Sequence, residues 1–177
     1  MKESRILSAC DVASFFLAVN DAYTITNTKL QKLCAYAQGI CLAYLGKPLF
    51  TESIEMWEIG PVIPEVYQKY EKYDVLCIPQ EPLNLSPFSM QERLVLAGVN
   101  DIYCTEYDDW SLYEKSQYDF PEGFELNTVL PLEGLKKAFE TNIIVQKLRR
   151  ANDLGPDEKN EKSSPEEFQK KLYTIFQ

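Results

Sequence analysis

Residues 28–46 constrain the fold more than any other stretch of this 177-residue chain. Leu30, Leu33, Cys34, Ala37, Cys41 and Tyr44 recur there at steps of three and four, the spacing of one face of an α-helix. Thr28 and Gln31 stand as a Thr-x-x-Gln capping box at its start, and Gly46 and Pro48 as C-cap and stop. It is the clearest helix of the sequence and sets a mainly α reading for the rest.

Shorter helices are predicted around it. Ser8 and Asp11 open one over residues 9–19, with Val12, Phe15, Phe16 and Val19 on one face. Pro64, with Glu65 at the positive helix end, opens one over 64–72 that turns Val66, Tyr67 and Tyr70 inward. Ser89 and Glu92 form a second capping box, for a helix to about residue 103 presenting Val95, Leu96, Val99 and Ile102. Pro131 starts a last core helix to about residue 150, with Leu132, Leu135, Phe139 and Ile143 facing in. Residues 53–59 read as a short extended element, and 74–87, with three prolines, as a loop. The expected architecture is a mainly α, compact multi-helix single domain over 1–150 with a small extended element. A polar linker over 151–163 and an amphipathic C-terminal helix over 164–177 follow, the helix carrying Phe168, Leu172, Ile175 and Phe176 on one face.

Composition narrows the chemistry. The chain has no His, which removes Ser-His-Asp and Cys-His nucleophile pairs and His-ligated zinc. No phosphate-binding glycine loop or nucleophile elbow occurs, so no cofactor, no metal and no catalytic residue is expected, and the role is read as non-enzymatic. Five cysteines without a Cys-x-x-Cys pair read as reduced thiols in a cytoplasmic protein. Only residues 12–19 near the start are apolar, too few to span a membrane. With 18 basic against 27 acidic side chains, net −9, phosphate-backbone binding is not expected to be the main task.

The acidity is local. Residues 81–130 carry 10 carboxylates against Arg93 and Lys115, net −8. Its densest part, 105–128, mixes Tyr107, Trp110, Tyr113, Tyr118, Phe120 and Phe124 with carboxylates and has no assignable period. Three readings stand: a solvated loop, a surface that steers and anchors a basic protein partner, or a metal site from Glu106, Asp108 and Asp109, which lack calcium-loop spacing. Lys136, Lys137, Lys147, Arg149 and Arg150 read as cations complementing a helix C-terminus or as a small nucleic-acid contact.

Residues 25–39 (ITNTKLQKLCAYAQG) with 44–50 (YLGKPLF), followed by 54–67 (IEMWEIGPVIPEVY), resemble two successive motifs of the Panacea domain family, which includes SocA-like antitoxins and phage-associated GepA-type proteins. The likeness is best over 8–73, and 132–139 is similar to the family's closing helix. The middle diverges: family members carry a Thr-His motif with a Trp shortly after, where this chain has Thr105 and Trp110 and no His. The resemblance implies a protein that binds and neutralises a toxin encoded nearby, here expected to be basic. The alternatives are a phage or mobile-element inhibitor of a host or defence protein, or an adaptor delivering a partner to the ClpXP protease. Within the motifs Thr28, Leu30, Gln31, Leu33, Trp57, Gly60, Pro61, Pro64 and Tyr67 read as structural. Lys29, Lys32, Gln38 and Glu58 have no evident folding role and are candidate partner contacts. So are Glu106, Tyr107, Asp108, Asp109, Trp110 and Tyr113 of the acidic stretch, and Phe168 and Leu172 of the terminal helix.

Overall fold

The computed structural model describes residues 7–153 and residue 170. Its centre is the helix predicted most clearly. This helix, Asn27–Leu45, is buried almost all the way round, from Asn27 through Ala43 with Thr28 alone half-exposed. Its N-cap is Thr26, whose hydroxyl accepts the Lys29 amide at 3.2 Å, and Gly46 closes it in the left-handed conformation. Thr28 and Gln31 are therefore not a capping box. Gln31 is fully buried, and its side-chain oxygen accepts the Ile63 amide at 2.9 Å.

We number the elements in chain order: α1 (Ala9–Val19), α2 (Asn27–Leu45), β1 (Glu55–Trp57), β2 (Gly60–Val62), α3 (Pro64–Tyr70), α4 (Met90–Val99), α5 (Asp109–Asp119), β3 (Thr128–Val129), α6 (Leu132–Phe139) and α7 (Ile143–Asp153). The fold is mainly α, with seven α-helices and one small sheet among the described residues. Both predicted capping boxes at Ser8/Asp11 and Ser89/Glu92 are formed. α4 runs on through a π-helical turn, Asn100–Cys104.

The extended element is one strand of a hairpin. β1 pairs antiparallel with β2 on one side and β3 on the other, with Trp57 opposite Gly60 and Glu55 opposite both Val62 and Val129. Gly60 has φ 88°, a left-handed backbone that L side chains rarely adopt, and a Cβ there would stand 3.2 Å from Lys32 Cε. About two turns along α2 from Lys32, α6 packs on it at Gly39, where a Cβ would lie 2.4 Å from the Phe139 ring. The glycine lets the ring sit on the helix backbone.

Two further expectations are corrected. The helix over 131–150 is two helices, α6 and α7. Asn142 breaks it, its side chain accepting the Ile144 amide at 2.9 Å and donating to the Tyr103 hydroxyl at 2.7 Å. Leu135 and Phe139 are buried as expected, whereas Leu132 and Ile143 stand exposed at the helix starts. The unassigned 105–128 stretch contains α5, capped by Asp108. The expected C-terminal helix, apart from residue 170, and the linker beyond residue 153 lie outside the described residues.

Candidate interaction surface

The polar residues of the two motifs are structural first. Lys29 donates to the carbonyls of Cys104 (2.9 Å) and Tyr107 (2.7 Å), fastening the segment that leads into α5. Lys32 reaches the Pro61 carbonyl at 3.2 Å. Gln38 accepts the amides of Leu49 and Phe50 and donates to the Phe50 carbonyl. All three are buried and satisfy backbone groups of stretches with few hydrogen bonds of their own. The expectation that they lack a folding role is thereby corrected, and they lie beneath the surface. Burial without a carboxylate partner lowers the Lys32 pKa to about 7. Glu58 is exposed at the tip of the β1–β2 hairpin, whose Gly60 lies beside Gln117 of α5. Trp57 and Tyr67 pack edge to face, centroids 5.1 Å apart.

The acidic stretch forms a surface around α5. Asp108 accepts from the Ser111 amide (2.8 Å) and hydroxyl (2.6 Å), which hold its carboxyl below the usual range. Asp109 accepts from the Thr26 hydroxyl, tying the start of α5 to the cap of α2. Between them these bonds fix Trp110, which is 67% exposed and stands with its ring centroid 5.5 Å from that of half-buried Tyr113. Glu106 is exposed, and Tyr107 lies half-buried over Tyr103. Thus Glu106, Tyr107, Asp108, Asp109, Trp110 and Tyr113 are brought together on one side of the molecule. Phe168 and Leu172 lie outside the described residues.

Beside this surface an open cleft of about 640 Å³ runs between the π-helical turn, α5 and the α6–α7 junction. Its lining includes Asp101, Tyr103, Lys115, Tyr118 and Asp119. Tyr36 stacks on Tyr103 at 4.0 Å beneath it and donates to Asp119 at 2.8 Å; burial, then the Asp119 carboxylate, pushes the Tyr36 phenol well above its ordinary pKa. Lys115 pairs with Asp119 at 2.9 Å. Spacing carries no sign of this cleft, because its walls come from segments far apart in sequence. Among the described residues no cluster of three or more Cys, Asp or Glu is placed to hold a metal, so Glu106, Asp108 and Asp109 are not gathered on one ion.

Residues 30–117 match the family model described as antitoxin SocA-like, Panacea domain. They form a SocA-like Panacea domain. The matched stretch of the Panacea domain begins one turn inside α2, contains the first motif from Leu30 onward and the whole of the second, and ends within α5, so that Trp110 falls inside it. α1, α6 and α7 lie outside the match and pack on α2, and β3, also outside it, pairs with β1. No curated protein and no solved structure matches the sequence. No helix among the described residues is long and apolar enough to cross a membrane.

Proposed function

We propose that this chain is an antitoxin-like protein that neutralises a partner, a basic toxin encoded nearby, by covering it. The observation that carries this reading is Trp110. A large aromatic held out by a capped helix start, among Glu106, Asp108 and Asp109, has the chemistry of an interface anchor. The antitoxin-like family of the domain supports the same role. The activity is stoichiometric binding with no cofactor and no catalytic step, and the setting is the cytoplasm. All five cysteines are free thiols, and burial pushes those of Cys34 and Cys41 up, the latter to about 12.

Co-expression with the product of the adjacent reading frame tests this. Restored growth with a stoichiometric complex on purification is the expected result, and neither rescue nor complex overturns it. Dependence of the partner's lifetime on ClpXP would replace covering by delivery to the protease. Capture of a host protein in the absence of a toxic neighbour would replace the toxin by a host target.

A further inference from the structure

Three segments meet at Thr26. Its backbone forms an antiparallel bridge with Cys77, the neighbouring Ile78 amide donates to Ile25 at 2.8 Å, and its hydroxyl donates to Asp109. The turn between α1 and α2, the loop after α3 and the start of α5 are thus tied at one point. Each presents large apolar side chains to solvent next to that tie: Tyr23 at 68% exposure, Val75 at 79%, Leu76 at 68%, and Trp110. None is more than three residues from its segment's tie point, so each backbone lies within about 11 Å of it. That is the scale of the central part of a protein interface.

The backbone beneath two of these side chains is strained. Tyr23 itself has φ 63°, and Asp74, directly before Val75 and Leu76, has φ 50° and ψ −118°. Non-glycine residues hold such conformations only where surrounding contacts force them, and the strain concentrates at functional positions. Burial in this fold gives no reason for it, since the side chains concerned point outward. The exposed charge of these segments is of one sign, the Lys29 amine that acts on Asp108 being buried beneath them. Residues 20–26, 73–78 and 105–111 hold Asp21, Asp74, Glu106, Asp108 and Asp109 and no Lys or Arg. The nearest cation in sequence, Lys72, lies over the Tyr73 ring at 5.0 Å.

We infer that Tyr23, Val75, Leu76 and Trp110 around the Thr26 junction form the docking core of the partner surface, and that the segment it takes is an apolar side chain flanked by Lys or Arg. The inference rests on the partner-binding reading and deepens it, since Tyr23, Val75 and Leu76 belong to neither family motif. The four side chains supply the contact area, and the carboxylate rim repels acidic competitors and steers basic ones. A second copy of this chain is a poor occupant, because five carboxylates would face five carboxylates in a chain of net charge −9.

Two experiments separate the inference from the function beneath it. The first uses the neighbouring gene product as probe. Leu76→Ser and Trp110→Ala, alone and combined, are expected to keep the wild-type melting temperature and to weaken the complex about tenfold or more, as truncating interface anchors does. Val129→Ser, at an exposed site on β3, serves as the control that leaves binding unchanged. Full neutralisation by the double variant overturns the docking core and leaves the antitoxin reading standing; failure of the wild-type chain to neutralise overturns that reading alone. The second uses a short peptide alternating leucine with arginine, titrated into the ¹⁵N-labelled full chain. Amide shifts centred on residues 23, 75, 76 and 110, absent with the glutamate-for-arginine peptide, are expected whatever the adjacent gene encodes. Shifts elsewhere, none, or equal shifts with both peptides overturn the inference, as does a wild-type dimer that Leu76→Ser dissolves.

Discussion

The Lys32 amine lies 3.2 Å from the Pro61 carbonyl oxygen, almost wholly buried, with that carbonyl as its hydrogen-bond acceptor. It pins the β1–β2 hairpin to α2 at the base of the Gly60 turn. Desolvation lowers its pKa from 10.5 to about 7. Above pH 7 the folded chain has therefore shed a proton that the unfolded chain keeps, and stability rises with pH until the unfolded lysine also titrates. Stability gained this way is lost as pH falls towards 7, at a slope approaching about 1.4 kcal/mol per pH unit between about pH 7 and 8.5. Urea titrations across that range, compared with Lys32→Met, check this: the variant's stability should be flat by comparison, and parallel curves would show that Lys32 keeps its proton.

Gln38 makes three hydrogen bonds to the extended chain at Leu49 and Phe50. Gln38→Leu keeps the volume and leaves buried backbone groups unpaired, so a loss of about 3 kcal/mol in urea unfolding is expected. A loss no larger than that of an exposed substitution would mean that water replaces the side chain.

The Gly39 contact with Phe139 makes a similar demand of opposite sense, since here extra volume is the fault. A methyl placed 2.4 Å from the ring must displace α6. Gly39→Ala should lower stability by about 1–3 kcal/mol in spite of alanine's better helix propensity, and Gly39→Ala with Phe139→Leu should recover part of it. Thermal melts of the three proteins decide the point.

Capping is testable at neighbouring threonines. Thr26→Val removes both the cap of α2 and the tie to Asp109, for an expected loss of about 1–2 kcal/mol. Thr28→Val, at the second residue of the helix, should change stability by no more than about 0.5 kcal/mol. Equal losses at the two sites would return the cap to Thr28.

The exposed carboxylates of the α5 surface should act on association rate. Neutralising Glu106 and Glu114 to Gln is expected to slow binding of a basic partner a few-fold at low salt, to flatten the salt dependence, and to leave dissociation nearly unchanged. Stopped-flow mixing at two ionic strengths reads each of these.

Much of the fold was legible because it is encoded over short distances. Periodic leucines and cysteines located α2, and Ser-x-x-Asp and Ser-x-x-Glu located the starts of α1 and α4. α5 was not legible because its inward face consists of Leu112 and Ser116, too little for a period to show. The α6–α7 break was hidden because Leu135, Phe139 and Ile143 keep a step of four across it, although Asn142 stands directly before α7 with its side chain accepting the Ile144 amide. Of the candidate surface, Trp110 and its carboxylates were visible as composition, while Tyr23, Val75 and Leu76 were not.

The sequence by itself determined the mainly α class, the central helix and the absence of imidazole chemistry, since caps, periodicity and composition are properties of residues a few positions apart. Tertiary structure alone decided that Lys29, Lys32 and Gln38 face inward and that three distant segments meet at Thr26. A polar side chain on a helix has the same local signature whether it meets water or a carbonyl of another segment. Only the packing of α2 inside its shell supplies those carbonyls and removes the water.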